Sequence, residues 1–587
     1  MPLPSSAVRA ARLLAPLALL APAALAQEEP IGVFTNPGKT LHIALREKIL
    51  GHDDPKIEDE YFLVSPDGRS LAYMLMGSGA LSIVHDGIEG EPFKGIAPET
   101  IQFSPDSKRL VYVGSRDRKT FVVVDGELFE SKALHESGVS FSPDSAHIAW
   151  VAVNEQGDRY AVIDGVEGEH YSSIGERGVV FSPDGAHYAF VADRDGYQTL
   201  VRDGVEGPFF ERVLDFWWSP SGEHLGYVVD SNGSKVVLMD EDPVAEGDTI
   251  GRDGLVFARN SDHWAIAVRK GKSWHLVTGE RVLGPYKNIL PGLTFNDDGS
   301  HLAFLAGHGK GMVLVLDGQE TQDWPGYQTL RFGGEHTAMV VIDDAVKRHV
   351  VLDGEVGPAW DSIDPRGVVF DRSGKHWYYI AQDGDRITVV SDGENGPSSK
   401  HLGSVPPSFL SDGRLIYSLR EKKQETLVVD GKPVGVYPRL RHFVLSPDRT
   451  RYACFTGKDG EWTLLLDGEP RGTYPFAPSP PVFTQDSKRM AFLAGRSRKN
   501  FVVVDGIEGP AFDIIQRRSV AFTPDGKHVA YLAGTADKRY IVVDDVLVEN
   551  DYTGFHSGSG VLCLDDRHIA VRAARGGTWI LAELELL

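Results

Sequence analysis

The chain has 587 residues, 42% hydrophobic and 24% charged, with 64 glycines and 34 prolines, a composition that excludes a wholly disordered, collagen-like or multi-pass membrane protein. Its 60 Lys and Arg against 83 Asp and Glu give a net charge of −23, which argues against a surface built to bind nucleic acid. Two cysteines cannot staple so long a chain, so apolar burial has to supply its stability.

Residues 1–26 carry Arg9 and Arg12, an apolar stretch over 13–25 and Ala24-Leu25-Ala26 ahead of Gln27. This is the pattern of a secretory signal peptide, with an apolar core too short to span a bilayer comfortably. An exported protein, periplasmic or extracellular and without membrane insertion after cleavage, is expected to begin at Gln27. In the segment 27–59, Thr40-Leu-His-Ile-Ala-Leu45 and Lys48-Ile-Leu50 are candidate strands for closing a ring.

From about residue 60 one pattern recurs to the end with a period of roughly 38 residues. Phe103-Ser-Pro-Asp-Ser-Lys-Arg-Leu-Val-Tyr and Phe181-Ser-Pro-Asp-Gly-Ala-His-Tyr-Ala-Phe are its clearest forms. The leading position is held by Val64, Phe103, Phe141, Phe181, Trp218, Phe257, Phe295, Phe332, Phe370, Phe409, Leu445, Phe483, Phe522 and Cys563, which makes fourteen units. Each unit divides into four strand-like runs. Val179-Val-Phe181 is the first, Ser-Pro-Asp-Gly a turn, His187-Tyr-Ala-Phe-Val191 the second, Gln198-Thr-Leu-Val201 the third and Val205-Glu-Gly-Pro-Phe-Phe210 the fourth. Asp-Gly closes the last hairpin at Asp86, Asp125, Asp164, Asp203, Asp317, Asp353, Asp392, Asp430, Asp467 and Asp505, because both turn residues need positive φ.

Four-stranded units at this period predict an all-β chain of β-propeller blades, with the leading aromatics filling the gaps between blades. Rings commonly hold four to eight blades, so the simplest arrangement is two tandem seven-bladed propellers, over 60–327 and 328–587, with a seam near 323–327. The last unit ends after one apolar run, Thr578-Trp-Ile-Leu-Ala-Glu-Leu-Glu-Leu-Leu587, so a strand from the N-terminal segment is expected to complete one ring or the other.

The motif Phe-Ser-Pro-Asp-Gly-x-x-x-Ala-Phe followed by Val-Val-x-Asp-Gly resembles the TolB-like, or WD40-like, propeller repeat of secreted bacterial proteins, and the likeness covers nearly all of residues 27–587. The resemblance implies a protein-binding platform or a gating domain of a serine peptidase. No added domain of the TolB type and no hydrolase domain accompanies it here, so the fold says little about activity by itself.

Signals for catalysis are weak. His556-Ser-Gly-Ser-Gly560 imitates a nucleophile elbow but precedes a strand instead of a helix; Gly307-His-Gly-Lys-Gly311 lacks the ending of a phosphate loop. No His-Glu-x-x-His or paired Cys-x-x-Cys is present, so no metal or cofactor is expected. His147, His187, His224, His301, His376 and His528 start second strands on different blades, and Cys454 and Cys563 lie on blades too far apart to bridge. Trp217, Tyr286, Trp324 and Trp360 sit near connections between blades, where they either pack or anchor a partner.

The functional lead is a basic rim on the loops between second and third strands, which share a face with the connections between blades. Its candidates are Arg116, Arg118, Lys119, Lys270, Lys272, Arg496, Arg498, Lys499, Lys538 and Arg539. Such a rim on an acidic protein would draw an anionic partner. The reading is a non-catalytic propeller that binds a protein or glycan at its loop face; the alternatives are a propeller enzyme (lyase, lactonase or glycosidase) with its site at a channel mouth, or a structural envelope component.

Overall fold

The computed structural model describes residues 34–36, 39–41, 43–52, 57–76, 79–308, 311–476, 479–555 and 560–587. The expected signal peptide, residues 309–310 of the glycine-rich loop and residues 556–559 of the elbow-like loop lie outside them. Every regular element among the described residues is a β-strand. Apart from one small hairpin, Phe34–Asn36 with Lys39–Leu41, the strands form fourteen antiparallel sheets. The fold is a β-propeller.

Blade 4 shows how the sequence writes one sheet. Its innermost strand is broken into Ser173–Ile174 and Val180–Phe181, both paired with Tyr188–Arg194, which is followed outward by Tyr197–Arg202 and Val205–Glu206. In the first turn, Gly185 takes φ +82° while the Asp184 carboxylate accepts the Ser182 hydroxyl at 2.5 Å and the Ala186 N–H at 3.1 Å. In the outer hairpin Asp203 stands at φ +51° and Gly204 at φ +78°. Asp203 Oδ1 accepts the Tyr188 N–H, and its Oδ2 lies 2.7 Å from His187 Nδ1.

That last contact recurs. His147, His187, His224, His301, His336, His376 and His528 each place Nδ1 2.6–2.8 Å from the aspartate of their own hairpin. Arg109, Arg451 and Arg489 do the same work at 2.8–3.0 Å. An ionised carboxylate only accepts, so Nδ1 of each histidine carries the proton. These histidines are structural ties between the second strand and the outer hairpin.

The expected anchors lie between blades. Phe103, Phe141, Phe181 and Trp218 belong to the apolar clusters joining blades 1 to 2, 2 to 3, 3 to 4 and 4 to 5. Phe257, Phe295, Phe332, Phe370 and Phe409 continue the series from blade 5 to blade 10. Leu445, Phe483, Phe522 and Cys563 carry it to blade 14. Fully burying a phenylalanine contributes roughly 1.5–3 kcal/mol; Phe103 and Phe409 are buried and the other anchor phenylalanines half-buried. Cys454 is buried and Cys563 half-buried, both free, and burial pushes each thiol up to about 12.

Two features describe how the blades are joined. Trp324, at the expected seam, is buried in a continuous cluster that packs blade 7 on blade 8, through Leu305 and Leu314 against Met339 and Val341. Blade 14 packs on blade 1, through Ala570 and Leu581 against Leu71, Tyr73 and Val84. No cluster among the described residues joins blade 7 to blade 1 or blade 8 to blade 14, the contacts on which two seven-bladed rings would close. The clusters form one circuit of fourteen blades. What decides the ring size is the wedge between neighbouring sheets, and that is a property of packing which the repeat period does not contain.

The circuit closes through the N-terminal segment. Ile43–His52 pairs with Thr578–Leu586 from Ile43↔Leu586 to His52↔Thr578 and becomes the outermost strand of blade 14. Glu47 Oε1 accepts from Asn550 Nδ2 at 2.6 Å, from the Tyr552 hydroxyl at 2.8 Å and from Arg575 Nη2 at 2.5 Å. One carboxylate therefore ties the two ends of the chain together.

Candidate functional site

Inner strands enter at the end of the sheet where second and third strands meet, so connections between blades and the second-to-third loops share one face. The expected basic candidates lie on this face, but the structure spreads them over blades 2, 6, 12 and 13 and ties half of them down. Arg116 reaches Glu91 at 3.0 Å and lies over Phe93 and Phe121. Lys119 pairs with Glu130 at 2.5 Å, Arg496 with Glu508 at 3.0 Å and Lys499 with Asp513 at 2.6 Å. Arg539 donates to the carbonyls of Thr535 and Lys538. Arg118, Lys270, Lys272, Arg498 and Lys538 are exposed and form no ion pair among the described residues. Four of the ten candidates are thus neutralised by a carboxylate. Of the aromatics near blade connections, Tyr286 and Trp324 are buried in clusters between blades and Trp217 and Trp360 pack against such clusters.

Positive charge gathers elsewhere on the same face, on the inner strands of blades 11 and 13. In blade 13, Ile515 pairs with Ala533 and Ala521 with Ala530, so six steps on the inner strand oppose three on its neighbour. The surplus is a loop that presents Arg517 and Arg518, both exposed, with Arg518 at φ +64°. In blade 11, Arg441 pairs with Phe455 and Val444 with Ala453, a bulge of one extra residue, with His442 at φ +54°. The shorter bulge leaves a recess. Arg441, His442, Asp459, Trp462, Phe476 and Arg517, together with Gly460 and Pro475, line a cavity of about 460 Å³ there.

Trp462, 3% exposed, is part of the cluster between blades 11 and 12 and forms the floor. The Arg441 guanidinium lies over its ring at 4.8 Å, a cation–π contact that fixes the group's plane. Phe476 stands at one wall, 47% exposed, bridged to Gly495, which comes within 3.2 Å of the ring at the position of an added Cβ. Blades 4, 7, 9 and 10 hold Ser173, Asn288, Ser362 and His401 at the equivalent start of the inner strand. Arg441, Arg517 and Arg518 form no ion pair among the described residues. The sequence reading missed this group; its signals are the pair Arg517-Arg518, where blade 4 has Glu176-Arg177, and an aromatic at a position held by Gly95, Ala133 and Ile514 in blades 2, 3 and 13 and by polar residues in blades 4, 7, 9 and 10.

Among the described residues one acidic group could hold a cation: ligand atoms of Glu223, His224 and Asp262 lie within 4.8 Å of one another. All belong to turns of the opposite face. His224 Nδ1 already serves Asp240, and Asp262 accepts the Ser221 N–H.

No family model and no curated protein matches the chain. Among solved structures, the β-propeller domain of the Trilobed protease from Pyrococcus furiosus is 12% identical, with 50% of this chain and 94% of that chain covered, at a TM-score of 0.21. The propeller domain of Myceliophteria thermophila Cps50 (Swd1) is 15% identical, covering 45% and 96% at a TM-score of 0.20. The Niastella koreensis GH74 enzyme is 10% identical, covering 91% and 99% at a TM-score of 0.21.

Proposed function

We propose that this chain is an exported, non-catalytic recognition module that holds a protein or glycan partner at the loop face of its ring. The observation that carries the reading is the cavity over blades 11–13, where Arg441 and Arg517 form no ion pair among the described residues and stand beside the exposed ring of Phe476. Free guanidinium groups next to an exposed aromatic are what recognition surfaces concentrate. Export rests on the pattern of residues 1–26.

The test is capture from the envelope and secreted fractions of the source, with the whole mature chain as bait. Arg441→Ala/Arg517→Ala/Arg518→Ala is expected to lose the captured partner. Arg116→Ala/Lys119→Ala, which removes charges already paired, is expected to keep it. Capture untouched by the first variant contradicts the reading.

A further inference from the structure

We infer that the cavity over blades 11–13 takes a carboxylated saccharide, a uronic-acid unit of an acidic glycan; this inference rests on the loop-face reading above. Four observations narrow the ligand. The first is size: about 460 Å³ suits a group of one or two sugar rings and lies within the range of small-molecule sites. The second is charge. In a chain of net charge −23, the cavity offers Arg441 and Arg517 against the single carboxylate of Asp459, so the local sign is opposite to that of the molecule. A planar guanidinium presents paired N–H donors that match a carboxylate bidentately. Arg441 is oriented for this by its seat on Trp462 at 4.8 Å, which lowers the ordering cost on binding.

The third observation is Phe476. It is 47% exposed, an aromatic ring at a strand start that holds polar residues in blades 4, 7, 9 and 10 and Gly95, Ala133 and Ile514 in blades 2, 3 and 13. The electron-rich face of an aromatic ring receives the C–H face of a sugar. The fourth is Asp459, exposed in the loop between second and third strands of blade 11. An ionised carboxylate accepts hydrogen bonds and repels anions. Sugar hydroxyls supply donors for it, whereas the side chains of an acidic peptide supply only further negative charge. A pocket that pairs arginines with one carboxylate and an apolar platform is therefore matched to a ligand carrying an anion, hydroxyl donors and an apolar ring face together.

The experiment is calorimetric titration of the whole mature chain with oligomers of galacturonic acid, neutral galactose oligomers of the same length and poly-glutamate. Binding of the uronate oligomer is expected, weakening as salt rises. Arg441→Ala and, separately, Arg517→Ala are expected to weaken it by about tenfold or more, the loss of a charge-assisted hydrogen bond. Phe476→Ala is expected to weaken it with little change in salt dependence. Arg517 lies on an exposed loop, so its variant keeps the test valid if Arg441→Ala melts early. Equal binding of poly-glutamate overturns the saccharide assignment, and neutral-oligomer binding undiminished in Arg441→Ala overturns the carboxylate. No binding of any probe overturns this inference while the loop-face reading stands or falls on the capture experiment.

Discussion

At the scale of single residues, the turns carry more order than their composition suggests. Where serine replaces glycine in the first turn, at Ser107, Ser145 and Ser487, it stands at φ between +62° and +68°. Its hydroxyl accepts the N–H of Asp67, Asp106 or Asp448 in the preceding blade. Three pairs of neighbouring turns are thus linked, and the aspartates Asp67, Asp106 and Asp448 have their carboxyls lowered below the ordinary value. The Ser104 hydroxyl and then Lys108 bring Asp106 down to about 2, and Lys527 and then the Thr523 hydroxyl bring Asp525 down to about 2, from an ordinary 3.8. A carboxylate depressed in the folded state adds stability above its unfolded value and loses it as pH falls through the folded one. The melting temperature is therefore expected to drop between about pH 4 and pH 2, more than in an Asp106→Asn/Asp525→Asn variant, as a series of thermal melts will read. Packing at one glycine is equally specific. A Cβ at Gly114 would meet the Phe93 ring at 2.5 Å, and Phe93 is fully buried. Gly114→Ala is expected to cost about 1–3 kcal/mol, measured by denaturant unfolding.

At the scale of elements, the repeat was legible because each of its parts has a local cause. Asp-Gly selects the two-residue hairpin, Ser-Pro-Asp-Gly the first turn, and alternating apolar runs the strands. Histidines at strand starts read as exposed surface, and their ties to hairpin aspartates were illegible because the partner lies 16 or 17 residues away in a register only the sheet sets. The loops breaking the inner strands were illegible for a related reason. Several carry glycine or proline, as at Gly175 and Gly178, Pro291-Gly292 and Pro365 to Gly367, but where an inner strand breaks is defined by what fails to pair with the second strand. That is why the basic residues were sought on loop tips such as 496–499, where Glu508 pairs with Arg496 and Asp513 with Lys499, instead of at Arg441 and Arg517. The closing strand was anticipated from the short last unit, although its placement in blade 14 needed the pairing of Ile43 with Leu586. Removal of the Glu47 carboxylate leaves Arg575 without this partner. Glu47→Ala is expected to lower stability by about 1–3 kcal/mol, and Glu47→Gln, which still accepts, by less, as paired unfolding curves will show.

At the scale of the whole molecule, one circuit of fourteen apolar clusters makes every blade depend on two neighbours, blade 14 and blade 1 included. A cut at 323–327 strips Leu305 and Leu314 of Met339 and Val341. The fragments 60–327 and 328–587, produced separately, are expected to aggregate or to reassociate on mixing, checked by size-exclusion chromatography with light scattering. Two compact, soluble monomers would instead indicate independent rings. The same circuit fixes which blades share a face, and so brings Arg441 and Arg517, 76 positions apart in the chain, to one cavity. The most direct test of recognition at that place is hydrogen–deuterium exchange of the whole chain with and without its captured partner. Protection is expected over residues 439–443, 459–462, 475–476 and 515–518. Protection confined to the turns of the opposite face, around residues 144–147 and 184–187, would contradict a loop-face binding site.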